Sequence, residues 1–140
     1  MKILIADDEF SSRMKLQKHL SHYGHSYTVI NGEEAVEAFM LAHKEGEPFH
    51  LICLDIMMPE KDGIEVLKFI RKKEQEMGIK PGYEAIIMMI TAESSAKTAI
   101  DSFMQYGCDD YIVKPIKKDE LISKLKENTA ERAKDHISEI

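Results

Sequence analysis

The sequence predicts an α/β fold, a parallel sheet wound with helices on both faces. Two observations predict it. Five short apolar runs of strand length alternate with segments whose apolar residues recur at helical spacing. Several runs are apolar on consecutive positions, as expected of parallel strands covered on both sides. Parallel neighbours need long crossovers of one hand, which helices supply.

The elements follow in order. "KILIA" at 2 to 6 leads into a segment with Leu16, Leu20 and Tyr23 on one face, and Gly24 is expected to cap it. "SYTVI" at 26 to 30 precedes Ala35, Val36, Phe39 and Met40 at helical intervals. "FHLICL" at 49 to 54 precedes Ile64, Leu67 and Ile70, and "AIIMMI" at 85 to 90 precedes Ala99 and Phe103. "DYIV" at 110 to 113 precedes Leu121 and Leu125. The stretch "EQEMGIKPGYE" at 74 to 84 reads as a surface connection punctuated by Gly and Pro. Residues 127–140, "ENTAERAKDHISEI", are charged with sparse apolar positions. They extend the last helix, fray, or lead toward a further segment, and the sequence does not choose.

At 140 residues, 44% hydrophobic and 31% charged, the chain fits one domain. The longest apolar run cannot span a bilayer, and the acids in "MKILIADDE" stand where a signal peptide would be apolar. Cys53 and Cys108 lack metal-ligand spacing and read as reduced, partly buried residues. A cytoplasmic protein with no membrane contact is expected. A net charge of −6 opposes nonspecific attraction to nucleic acid, so no direct nucleic-acid binding is expected and any reader of it lies elsewhere. His19, His22 and His25 have no acid or thiol completing a metal set and read as solvated; the nine methionines read as core filling.

Ligands of doubly wound sheets bind outside the carboxyl ends of the strands. Those ends carry Asp7, Asp8 and Glu9 after the first run, Asp55 after the third, Thr91 after the fourth and Lys114 after the fifth. Singly, each has a bland explanation, a helix cap or a solvated lysine. Their recurrence on one edge points to a site. Three gathered carboxylates repel unless a cation neutralises them, and oxygen ligands without His or Cys suit a hard ion, Mg²⁺ in preference to Ca²⁺. A carboxylate beside Mg²⁺, with an ammonium and a hydroxyl nearby, is arranged for phosphoryl transfer onto Asp55.

The motifs "ADDE", "LDIMMPEKDG", "ITA" and "YIVKP", in this order, resemble the response-regulator receiver domain of two-component signalling from Met1 to about Lys126. The resemblance implies a flavodoxin-like sheet of five strands in the order 2-1-3-4-5 flanked by five helices, with residues 1–126 as the receiver domain and 127–140 as a charged helical extension or tail. It implies that Asp55 is the phosphoacceptor, Asp8 a direct Mg²⁺ ligand, Asp7 a ligand through water, and the Met57 backbone carbonyl a further ligand. Thr91 resembles the switch hydroxyl, Ala92 the small residue that leaves the phosphoryl group accessible, and Lys114 the phosphate-contacting lysine. Pro115 follows a peptide bond expected to be cis. Tyr111 resembles the aromatic switch residue, with an ordinary strand aromatic as the alternative. Met57 and Glu93 occupy the positions that tune phosphoryl lifetime, and Gly63 helps to shape the loop. Ile116 stands where many relatives carry an aromatic residue.

The implied protein is a switch and not a conventional enzyme, catalysing only its own Mg²⁺-dependent phosphorylation and dephosphorylation. Its implied partners are a sensor histidine kinase or a histidine phosphotransfer protein, and a downstream protein or an output domain. The surface of the fourth helix, fifth strand and fifth helix is the expected output face and a candidate dimer contact. A haloacid-dehalogenase-type phosphatase needs a second Asp where Met57 stands, and a flavodoxin-like flavin binder needs a phosphate cradle where "DDE" stands. Whether the receiver acts alone or belongs to a longer regulator is left open.

Overall fold

The computed structural model describes residues 1–92 and 104–138. The fourth predicted helix, with Ala99 and Phe103, and Glu93 at its start lie outside the described residues. The elements are β1 (Lys2–Ala6), α1 (Phe10–Leu20), β2 (His25–Val29), α2 (Gly32–Lys44), β3 (Leu51–Asp55), α3 (Gly63–Glu76), β4 (Ile86–Thr91), β5 (Asp110–Val113) and α4 (Lys118–Ser138). All strand pairs are parallel and the order is β2-β1-β3-β4-β5, so the predicted doubly wound topology holds. Among the described residues no helix is long and apolar enough to cross a membrane.

Successive strand residues point to opposite faces, and in the central strands β1, β3 and β4 both faces are buried. Leu4, Ile52, Leu54, Ile87 and Met89 face α2 and α3 in one core with Phe39, Leu67 and Ile70. Their neighbours Ile3, Ile5, Leu51, Cys53, Met88 and Ile90 form the other core with Leu16 and Leu20 of α1 and Leu121 and Leu125 of α4. The consecutive apolar runs are the trace of this double coverage. Cys53 and Cys108 are buried and unbridged, and burial pushes their thiols up to about 12 and about 11, far from reactive thiolates.

Local chemistry sets the helix starts. Asn31 caps α2 by accepting from the Glu34 amide, and Asp62 caps α3 by accepting from the Glu65 amide. Gly24 does not act as predicted: α1 stops at Leu20, Ser21 follows in right-handed geometry, and Gly24 has no positive φ. Its missing side chain instead admits the first residue, since a Cβ there would lie 1.9 Å from the Met1 carbonyl oxygen, which accepts from the His25 amide at 3.1 Å. Residues 127–138 continue α4.

Gly63 opens α3 hard against β3: a Cβ would lie 2.3 Å from the Asp55 carbonyl oxygen. Gly63→Ala should therefore displace the end of β3 and cost about 2 kcal/mol or more, read as a lowered urea midpoint with an unchanged denaturation slope.

Candidate functional site

The register fixes the site. Ala6 pairs with Leu54 across β1 and β3, so the next residue of each chain, Asp7 and Asp55, emerge side by side. Asp7 is fully buried, Asp55 is 4% exposed, and Asp8 is exposed. One carboxylate oxygen from each of Asp7, Asp8 and Asp55 lies within 4.8 Å of the others. Asp55 and Thr91 are the last residues of β3 and β4, held inside the ladder and not beyond it.

Backbone bonds lock this edge. The Ile56 amide donates to the Ile90 carbonyl at 3.0 Å, and the Lys114 amide donates to the Thr91 carbonyl at 2.8 Å. The Lys114-Pro115 peptide is cis. The ammonium of Lys114 lies 3.4 Å from Asp7 Oδ2 and 3.6 Å from Asp55 Oδ2. Asp55 Oδ1 accepts from the Met57 amide at 3.3 Å, and Asp7 Oδ1 accepts from the Glu9 amide at 2.9 Å. Beyond the Lys114 contact, Asp7 Oδ2 is buried with no close hydrogen bond among the described residues, which leaves room for a ligand. Thr91 is buried, with its hydroxyl 3.4 Å from the Ala92 carbonyl, and Ala92 is exposed. The Met57 side chain stands 71% exposed.

One ammonium does not balance this many acids. Burial, then the neighbouring Asp7 charge, push Asp55 up to about 7 despite the opposing pull of Lys114. Burial works against the Lys114 charge, but Asp55, Asp7 and Glu9 outweigh it and raise its pKa. Glu9 is handled differently: hydroxyls of Ser12 and Ser11 donate to it at 2.8 Å and 3.0 Å and hold its carboxyl low.

The structure thus brings Asp7, Asp8, Asp55, Thr91 and Lys114 to one edge, with Met57, Ala92 and Pro115 bordering it. Tyr111 is half-buried on β5 against the α2/α3 core, its ring 4.3 Å from the Lys124 ammonium. Ile116 is buried in the opposite core. Sequence reasoning missed Arg13, whose guanidinium donates to the Asp7 carbonyl at 2.8 Å; an arginine one turn into a helix carries no such signal. It also missed Gly32, where a Cβ would lie 1.9 Å from the carbonyl of Lys61 in the loop after Asp55. Glu60 in that loop is, among the described residues, the non-glycine residue with positive φ, at 71°.

The family described as the response regulator receiver domain matches residues 3–126. The chain is 36% identical over 126 residues to "Probable transcriptional regulator ycf27" of Cyanophora paradoxa, covering 89% of this chain and 46% of that protein. Its counterpart from Galdieria sulphuraria is 38% identical over 125 residues, with 89% and 44% covered. The chain therefore spans about half the length of these relatives. Among solved structures, a CheY-like response regulator receiver domain protein from Methanospirillum hungatei superposes with a TM-score of 0.71 at 29% identity, covering 96% of this chain and 97% of that one.

The raised Asp55 pKa has a sign. Folded Asp55 holds its proton more tightly than its ordinary value of 3.8, so its contribution to stability is fully present below that value and is lost as pH rises through about 7. In chelator, the wild type should lose stability between about pH 5 and pH 8, and Asp55→Asn should flatten that loss. Thermal melts at the two pH values should show the variant more stable by about 1–3 kcal/mol at the higher one.

Proposed function

The chain belongs to the response regulator receiver domain family, and we propose that it is a switch whose phosphoacceptor is Asp55. The observation that carries this reading is the orphaned, fully buried Asp7 Oδ2 set beside the Asp55 carboxylate and the Lys114 ammonium. Such an edge is poised to receive a cation and a phosphoryl group.

The donor set fits a hard divalent ion: oxygen atoms from Asp7, Asp8 and Asp55, close together and short of positive charge. Asp8, Asp55 and the Met57 carbonyl would hold Mg²⁺ directly and Asp7 through water. When bound, Mg²⁺ supplies neutralisation of the charge that gathers on the phosphoryl oxygens. Asp55 is the nucleophile: a carboxylate oxygen forms the bond to phosphorus as the bond from phosphorus to the donor's imidazole nitrogen breaks, and the ring, already protonated on its other nitrogen, takes the bonding pair and leaves as neutral imidazole. Lys114 then pairs with the phosphoryl oxygens, and the exposed Ala92 leaves the approach open. Met57 and Glu93, the latter outside the described residues, occupy the positions that tune the lifetime of the adduct.

The new group adds roughly −1.5 to −2 of charge and acceptor oxygens. Thr91 is drawn toward it, and Tyr111 follows inward, shifting the balance between two arrangements of the surface around β5 and α4. The donor is a sensor histidine kinase or a histidine phosphotransfer protein, and the listener is a downstream protein, a second copy bound through this face, or an output domain. Residues 1–126 are the phosphoacceptor domain and 127–140 a charged C-terminal helical extension or tail, of which 127–138 continue α4.

Incubation with acetyl phosphate and Mg²⁺ should add one labile phosphoryl group by intact mass, and Asp55→Asn or removal of the metal should abolish it. Lys114→Ala should slow the reaction at least about tenfold. Thr91→Ala should still take up phosphoryl but lose the change at Tyr111, followed by its fluorescence. An adduct formed equally on Asp55→Asn, or without divalent metal, would sink the reading.

A further inference from the structure

The C-terminal helix is fastened to β5 by a ladder. Lys124, Asn128 and Arg132 recur at intervals of four and so form one stripe of α4. Together they meet three successive residues, Asp109 just before β5 and Asp110 and Tyr111 at its start, with Asp110 shared by Lys124 and Asn128. The Lys124 ammonium donates to the Tyr111 carbonyl, lies 4.3 Å from the centre of its ring, and pairs with Asp110 at 3.2 Å. The Asn128 amide donates to the other Asp110 oxygen at 3.1 Å. Arg132 pairs with Asp109 at 3.0 Å. All these side chains are largely withdrawn from water, where such bonds hold geometry more firmly than on an open surface.

The last rung is the most deeply tied. The second Asp109 oxygen accepts from Arg71 of α3 at 2.7 Å and from the Ile87 amide of β4 at 2.8 Å. Beyond it, α4 reaches the long connection before β4. His136 stacks on Tyr83 at 4.0 Å and its Nε2 donates to the Gly82 carbonyl at 2.6 Å. Gly82, at φ 91°, is shaped for that contact, because a Cβ there would lie 2.6 Å from Asp135 Cβ. The tail and the extended 74–84 connection are therefore two halves of one anchorage.

We infer that residues 127–138 are a read-out arm: the Lys124, Asn128 and Arg132 rungs convey a shift of Tyr111 and β5 along α4 to its seat on Gly82 and Tyr83. This rests on the phosphorylation reading above. A ladder that spans Asp109 and the first two residues of β5 resists sliding of β5 past the helix, so a displacement of β5 moves or loosens the helix. By linkage, loosening the helix alters the phosphorylation equilibrium in return.

Hydrogen exchange on the whole chain tests it, with Mg²⁺ and beryllofluoride as the phosphoryl mimic. In the wild type, amides around Asp55 and Met57 should slow, and those of 127–138 should change their rate at least about threefold. Arg132→Gln should keep the first response and lose the second. Asn128→Ala, which removes a neutral rung, repeats the test should the first variant fail to fold. A response confined to the Asp55 region in the wild type, or a distal response that survives in both variants, overturns the arm and leaves the phosphorylation reading intact. No response near Asp55 overturns that reading, and the arm with it.

Discussion

Two carboxylates forced together by strand register govern this molecule. Because Ala6 pairs with Leu54, a parallel β1 and β3 deliver Asp7 and Asp55 to the same point, and burial removes the water that would screen them. No choice of rotamer restores the hydration lost. Lys114 answers part of the repulsion, reaching both acids at 3.4 Å and 3.6 Å, yet Asp7 Oδ2 is left with this ion pair and no close hydrogen bond among the described residues. The surroundings are built to hold this unfavourable edge in place. Glycines at 32 and 63 let backbones meet where no side chain fits, and Asp62 pins the start of α3 beneath the loop.

Much of this was legible in the sequence, for identifiable reasons. Buried on both faces, β1, β3 and β4 write themselves as apolar runs; the less buried edge strands β2 and β5 still show as short apolar-rich runs, so all five were found within one or two residues, and the helical spacing of Leu16 with Leu20 and Leu121 with Leu125 marked two of the helices that cover one face. Asp55, Thr91 and Lys114 were legible because topology says where strand ends converge. Gly24 was misread because a glycine after a helix usually offers left-handed geometry, whereas here it offers room for the Met1 carbonyl, a contact set by tertiary packing. Arg13 and Gly32 escaped for the same reason: their partners, Asp7 and Lys61, meet them through the backbone.

The tail illustrates a different limit. Its charged composition left several structures open, because a solvated helix and a frayed one share the same residue types. What decides for helix is a set of partners distant in sequence, Asp109, Asp110 and Gly82, spaced to match its turns. Lys124, Asn128 and Arg132 are unremarkable as a sequence and form a stripe only once β5 is placed beside them.

The two ends of the sheet handle charge in opposite ways. At the amino ends of the strands, Arg71 and Arg132 meet Glu74 and Asp109, two cations against two anions, with backbone groups of Ala85, Ile87 and Gly107 filling the remaining valences. Partial burial is tolerable there because each charge is paired and hydrogen-bonded; removal of any one would strand another. At the carboxyl ends, among the described residues, the gathered carboxylates of Asp7, Asp8 and Asp55 face the one ammonium of Lys114. A fully satisfied cluster has nothing to gain from a ligand, so it serves as structure. An unsatisfied one has free energy to gain from a cation, and Thr91 and β5 lie beside it at this edge.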